Sequence, residues 1–88
     1  MRILEKRYRT AHGEIDLIAR DGECLVFIEV KLRSKGKIGE GIQAVNCKKR
    51  DHLRFAASCY LEGHPADQVR FDVVEITASG LRHIKNAF

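Results

Sequence analysis

Glu14-Ile15-Asp16-Leu17-Ile18-Ala19-Arg20, then Asp21-Gly22, then Glu23-Cys24-Leu25-Val26-Phe27-Ile28-Glu29-Val30-Lys31: the reading of this stretch decides the fold. Both arms are rich in β-branched and aromatic residues, which suit a pleated, half-buried surface. Asp-Gly between them suits the left-handed dihedrals of a tight turn. The stretch therefore predicts a β-hairpin. Paired through a two-residue Asp21-Gly22 turn, Arg20 opposes Glu23, Ile18 opposes Leu25, Asp16 opposes Phe27 and Glu14 opposes Glu29. Opposed residues share a face, and side chains alternate along each strand. One face then carries Ile15, Leu17, Ala19, Cys24, Val26, Ile28 and Val30; it is wholly apolar and must be buried. The other carries Ile18, Leu25 and Phe27 near the turn. Further out it gathers Glu14, Asp16, Glu29 and Lys31, with His12 beside them. A longer loop with the same centre keeps these faces, whereas a one-residue slip reverses every side chain.

Carboxylates opposed on one sheet face repel one another, so the arrangement calls for positive charge. Lys31 supplies one charge, and a divalent cation would supply two more. Magnesium favours carboxylate oxygens and keeps several waters, so two acids on a strand pair suit it. Glu29 and Lys31 are two residues apart, hence on one side and roughly 7 Å apart at Cα. A metal there would neutralise phosphate charge and lower the pKa of its water, and the ammonium would orient that water or steady the transferring phosphate. Taken alone, Glu29-Val30-Lys31 is also the ordinary pattern of a solvated strand face. The acid pair across the hairpin argues for the metal site, and both readings stand at this point.

Outward from the hairpin, Ile3 to Thr10 predicts a short first strand. Leu32 to Gly41 reads as a basic loop carrying Arg33, Lys35 and Lys37. Asn46 is an expected N-cap for a helix reaching about Leu61, with Leu53, Ala56, Ala57 and Tyr60 as its apolar stripe and Gly63 and Pro65 as its stop. Val69 to Ile76 predicts a further strand, Ala78-Ser79-Gly80 a turn, and Leu81 to Ile84 a last strand. Lys48-Lys49-Arg50 opens the helix, where cations oppose the dipole. With Arg33, Lys35 and Lys37 they are candidate phosphate contacts that grip a backbone without reading sequence; a solvated loop and helix start is the plain alternative. Asp72 is expected to be a structural acid, His12 a solvated strand-end residue, and Tyr60 and Phe55 packing residues.

Eighty-eight residues make one domain, 1–88, with room for a modest core. The hydrophobic share of 44% is that of a globular chain. Sixteen Lys and Arg against 12 Asp and Glu give +4, a mild excess compatible with a polyanionic partner. No apolar run approaches a membrane span, and Arg2, Glu5, Lys6 and Arg7 stand where a signal peptide needs its apolar centre. A cytoplasmic protein without a membrane partner is expected. Cys24, Cys47 and Cys59 match no ligand spacing and read as reduced thiols.

Tyr8-Arg9-Thr10, Gly13 through Gly22, Val26 through Lys31, Ala44-Val45, Arg70 through Val74 and Arg82 through Phe88 occur in this order. Together they resemble the uncharacterised bacterial YraN family over nearly the whole chain. That family is similar to the PD-(D/E)xK nuclease superfamily, nearest to archaeal Holliday-junction resolvases. The resemblance implies an α/β (α+β) domain with a restriction-endonuclease-like central mixed β-sheet flanked by helices. It assigns Asp16 to the metal-binding aspartate, Glu29 to the second acid and Lys31 to the lysine. Glu14 matches a further family position and joins Asp16 and Glu29 as an expected metal ligand, and Gln43 is an auxiliary polar residue. Family members begin with a helix whose Gly-Glu pair adds an acid to the site; this sequence is expected to lack it. The implied activity is Mg2+- or Mn2+-dependent hydrolysis of DNA phosphodiesters, DNA in preference to RNA, with branched DNA among the substrates. Symmetric cutting of the resolvase kind would favour a homodimer. The competing readings are a catalytically silent nucleic-acid-binding module that keeps the fold, and an interaction protein whose charges are incidental.

Overall fold

A computed structural model of the chain describes residues 1–33 and 47–88, with Arg33 and residues 47–49 described by their backbone alone. The elements are β1 (Arg2–Arg9), β2 (Glu14–Asp21), β3 (Cys24–Arg33), α1 (Cys47–Gly63), β4 (Gln68–Thr77) and β5 (Gly80–Ile84). The five strands form one sheet in sequence order. β3 and β4 are parallel, and the other three pairs are antiparallel. A parallel pair needs a crossover, and α1 lies within it. The domain is thus a mixed α+β structure with a five-stranded mixed sheet and, among the described residues, one helix.

β3 sits at the centre and is enclosed from both sides. Leu25, Val26, Phe27, Ile28 and Glu29 are buried in succession, so the strand reads as a run rather than an alternation. On one face Ile15, Ile18, Leu25, Phe27 and Val73 pack against Leu53, Ala56, Ala57 and Tyr60 of α1. These helix positions are three and four apart, so they form one stripe. Each large side chain buried here contributes about 1.5–3 kcal/mol. Tyr60 anchors the contact, its ring set edge-on to Tyr8 at 5.2 Å and to Phe27 at 6.1 Å. The helix closes where the His64 amide donates to the Tyr60 carbonyl at 3.1 Å, just before Pro65. The expected N-cap, Asn46, lies outside the described residues. Ala19, Val26 and Ile28 form a second buried cluster on the opposite face, joined by Leu17, Cys24, Val30 and Val74. No described helix is long and apolar enough to cross a membrane.

The hairpin forms with a correction to its register. Asp21 pairs with Cys24, so the loop is Gly22-Glu23, and Arg20 opposes Leu25, Ile18 opposes Phe27 and Leu17 opposes Ile28. Gly22 at φ 62° takes the first loop position, where a two-residue hairpin needs a left-handed residue. The pairing has slid by two residues from the expected one. An even slide preserves parity, and most face assignments therefore survive. Ile15 is the exception: expected to share a face with Leu17 and Ala19, it belongs to the helix-side core with Ile18.

The cause lies in β1. Lys6 pairs with Leu17 and Tyr8 with Ile15, so Arg7 stands across from Asp16. Arg7 has φ 53°, a left-handed conformation costing an ordinary L-residue about 1–2 kcal/mol. This kink breaks alternation in both strands and turns Tyr8 and Ile15 together towards α1.

Candidate functional site

The ladder between β2 and β3 ends at Leu17 and Ile28. Just beyond it, Asp16 Oδ2 accepts the Val30 amide at 2.8 Å. A side chain thus takes a place that a strand carbonyl would otherwise fill, and Asp16 sits in the fork where the two strands part. Val30 is flanked by Glu29 and Lys31, whose side chains lie on the α1 face of β3. Lys31 Nζ meets Glu29 Oε1 at 3.1 Å, with the two side chains 15% and 7% exposed. An ion pair this sheltered is screened little by water, and loss of one partner leaves a costly buried charge.

The parallel pairing adds a residue that the sequence reading did not weigh. Lys31 is in register with Glu75, and Glu29 with Val73. Glu75 therefore shares the face of Glu29 and Lys31, and it is fully buried. A visible signal existed, since an acid inside Val73-Val74-Glu75-Ile76 must either reach a partner or leave the core. Its place beside Lys31 required knowing that β4 runs parallel to β3.

The remaining expected residues divide. Glu14 is half-exposed and pairs with Arg9 at 3.5 Å, at the far end of β2 from the hairpin turn. Among the described residues, no group of three or more His, Cys, Asp and Glu side chains is placed to hold a metal ion. Asp16 and Glu29 remain as the pair flanking the fork. Arg50 lies against Phe88, its guanidinium 5.9 Å from the ring centre, and its Nε is buried with no hydrogen-bond partner among the described residues. Lys35, Lys37 and Gln43 lie outside the described residues, as do the side chains of Arg33, Lys48 and Lys49. His12 is exposed and set edge-on to Phe55 at 5.0 Å.

Asp72 is the structural acid expected. It is fully buried on the face opposite α1. Arg70 Nε and an Arg70 terminal nitrogen donate to its two oxygens at 2.8 and 2.9 Å. His83 Nε2 lies 2.6 Å from Oδ2, and the Asn86 amide donates to Oδ1 at 2.9 Å. Arg70 also reaches Asp21 at 3.2 Å, tying the hairpin turn to β4. Burial pushes the Asp72 carboxyl up, but Arg70, the Asn86 amide and His83 together outweigh it and hold the group below the ordinary carboxylate range. The hydrogen bond to Asp72 likewise holds the Arg70 guanidinium firmly protonated against the opposing effect of burial.

With this geometry in view, a model of the "Uncharacterised protein family UPF0102" matches residues 1–76. Among similar proteins, a UPF0102 protein of Dechloromonas aromatica is 43% identical over 88 residues, covering 100% of this chain and 73% of the relative. A UPF0102 protein of Thermodesulfovibrio yellowstonii is 44% identical over 88 residues, covering 99% of this chain and 79% of the relative. One from Shewanella amazonensis is 42% identical over 89 residues, covering 100% and 82%.

Proposed function

The chain belongs to the uncharacterised family UPF0102, and from that premise we propose that it is a divalent-metal-dependent nuclease acting on DNA phosphodiesters on a restriction-endonuclease-like sheet. The observation that carries the proposal is the fork. Asp16 bonds the backbone of Val30, the residue between Glu29 and Lys31, which supports a site built from the aspartate, the glutamate and the lysine. Two carboxylates are what Mg2+ or Mn2+ needs when waters and substrate oxygens complete its shell, so the donor set fits the ion without Glu14. Bound there, the ion would supply Lewis acidity and an acidified water. Asp16 and Glu29 would hold it. Lys31, steadied by Glu29, would keep its ammonium beside the attacked phosphate and stabilise charge developing on its oxygens. A cytoplasmic location and a homodimer belong to the same proposal.

The near-complete burial of Glu29 favours a second reading, a catalytically silent DNA-binding domain that retains the nuclease sheet. Cleavage of single-stranded, duplex and four-way-junction DNA in Mg2+ or Mn2+ separates the two, with wild type compared against Glu29→Ala and Lys31→Ala. The nuclease reading expects wild-type cleavage and losses on the order of 100-fold or more in both variants. Salt-sensitive binding that survives Glu29→Ala, with no cleavage by wild type, would establish the silent domain instead.

A further inference from the structure

The groove beside Asp16 is not absorbed by the acid–lysine pair. It has a volume of about 350 Å³ and is lined by Lys6, Arg7, Asp16, Leu17, Val30 and Leu32. Val30 and Leu32 stand on the face of β3 opposite Glu29 and Lys31, so the groove approaches Asp16 from the other side of the fork. Leu32 is 76% exposed, so an apolar floor lies open beneath two exposed cations. Among the described residues neither Lys6 nor Arg7 makes an ion pair. Arg9, two positions on, is taken up by Glu14. Glu5, the acid next to them in sequence, pairs in register with Ile18 of the helix-side core, which places it on the α1 face.

We infer that Lys6 and Arg7 form a phosphate-binding cradle that holds a nucleic-acid backbone alongside Asp16. The inference rests on the nucleic-acid reading proposed above. Paired cations over an apolar floor suit a sugar–phosphate chain, which presents anionic phosphates and less polar sugar faces together. Asp16 repels an anion placed directly on it, so the cations hold the backbone to one side of the carboxylate. The strained conformation of Arg7 points the same way. Glycine would occupy φ 53° without cost, yet the position carries a long cation, and strain of this kind concentrates at ligand clamps.

The test is fluorescence anisotropy of labelled single-stranded and duplex DNA with the full chain in EDTA, across a NaCl series. Lys6→Ala/Arg7→Gly is compared with a charge-matched control, Arg82→Ala/Lys85→Ala. Both cradle residues are exposed and glycine accepts the Arg7 backbone, so thermal melting should show the fold kept. The cradle predicts weaker binding and a log K against log[salt] slope shallower by about 1.8 on duplex DNA, two phosphate contacts at about 0.9 each. The control should keep the wild-type slope. An unchanged slope in the cradle variant, or an equal loss in the control, overturns the cradle and leaves the nucleic-acid reading standing. Failure of wild type to bind any of these DNAs at low salt overturns both.

Discussion

β3 is flanked by β2 and β4, and one aspartate from each, Asp16 and Asp72, have opposite surroundings. Asp72 on β4 is sealed from solvent, and Arg70, His83 and the Asn86 amide close around both its oxygens. Asp16 on β2 takes the Val30 amide and lines an open groove. On the α1 face stand two buried acids, Glu29 beside Lys31 on β3 and Glu75 in register with Lys31 on β4. One region is balanced internally, charge against charge. In the other, a buried lysine–glutamate pair lies on one face of β3 and the Asp16 carboxylate meets the β3 backbone beside an open groove. The contrast separates an acid enclosed by side-chain and backbone partners from an acid that borders a groove, although both look alike in the sequence.

Removing Asp72 should disturb the fold most. Asp72→Ala leaves Arg70 without its main partner in a sheltered place and should destabilise the protein by about 3–5 kcal/mol in urea unfolding. A loss under about 1 kcal/mol would show that the network is not structural. Asp72→Asn probes the same group through pH. The folded carboxyl titrates below its unfolded value, so its stabilisation is present above pH about 4 and is lost as pH falls through the folded pKa. The wild type should therefore lose stability on acidification in a way that Asp72→Asn partly lacks. Parallel acid limbs in the two proteins would contradict the assignment.

A smaller loss is expected from Gly13→Ala, which tests how the site end of β2 is held. A Cβ at Gly13 would lie 2.5 Å from the His52 carbonyl oxygen, a clash with helix backbone that no rotamer relieves. The cost should be about 1–3 kcal/mol, with the β2 kink disturbed. If thermal melting finds no change, α1 does not pin this strand. The smallest effect belongs to Glu29→Gln, which keeps an acceptor for Lys31 while the Glu75 carboxylate, in register with Lys31, still offsets the ammonium charge. Its stability should stay within about 1 kcal/mol of wild type while metal-dependent cleavage is lost. A destabilisation as large as that of Asp72→Ala would place Glu29 with the structural acids.

The hairpin was legible because its signals are local: β-branched runs, an Asp-Gly turn and period-two alternation. Its exact register was not, yet a slide of two residues left Glu29 and Lys31 on one face, since parity alone decides that. Leu53, Ala56, Ala57 and Tyr60 were legible as a helix stripe for the same reason. The pairing of Glu14 with Arg9 was not legible, because position along β2 says nothing about which residue meets it from the neighbouring strand.

By itself, then, the sequence determined the strands, the helix and the shared face of Glu29 and Lys31, all set by periodicity over a few residues. The tertiary structure alone decided that β3 and β4 run parallel and bring Glu75 beside Lys31. It decided too that a left-handed Arg7 turns Ile15 to the core and leaves Asp16 in the fork, and that His83 and Asn86, 11 and 14 positions away, close around Asp72. Such contacts join residues distant along the chain. They are selected by how whole elements pack, and no local pattern encodes them.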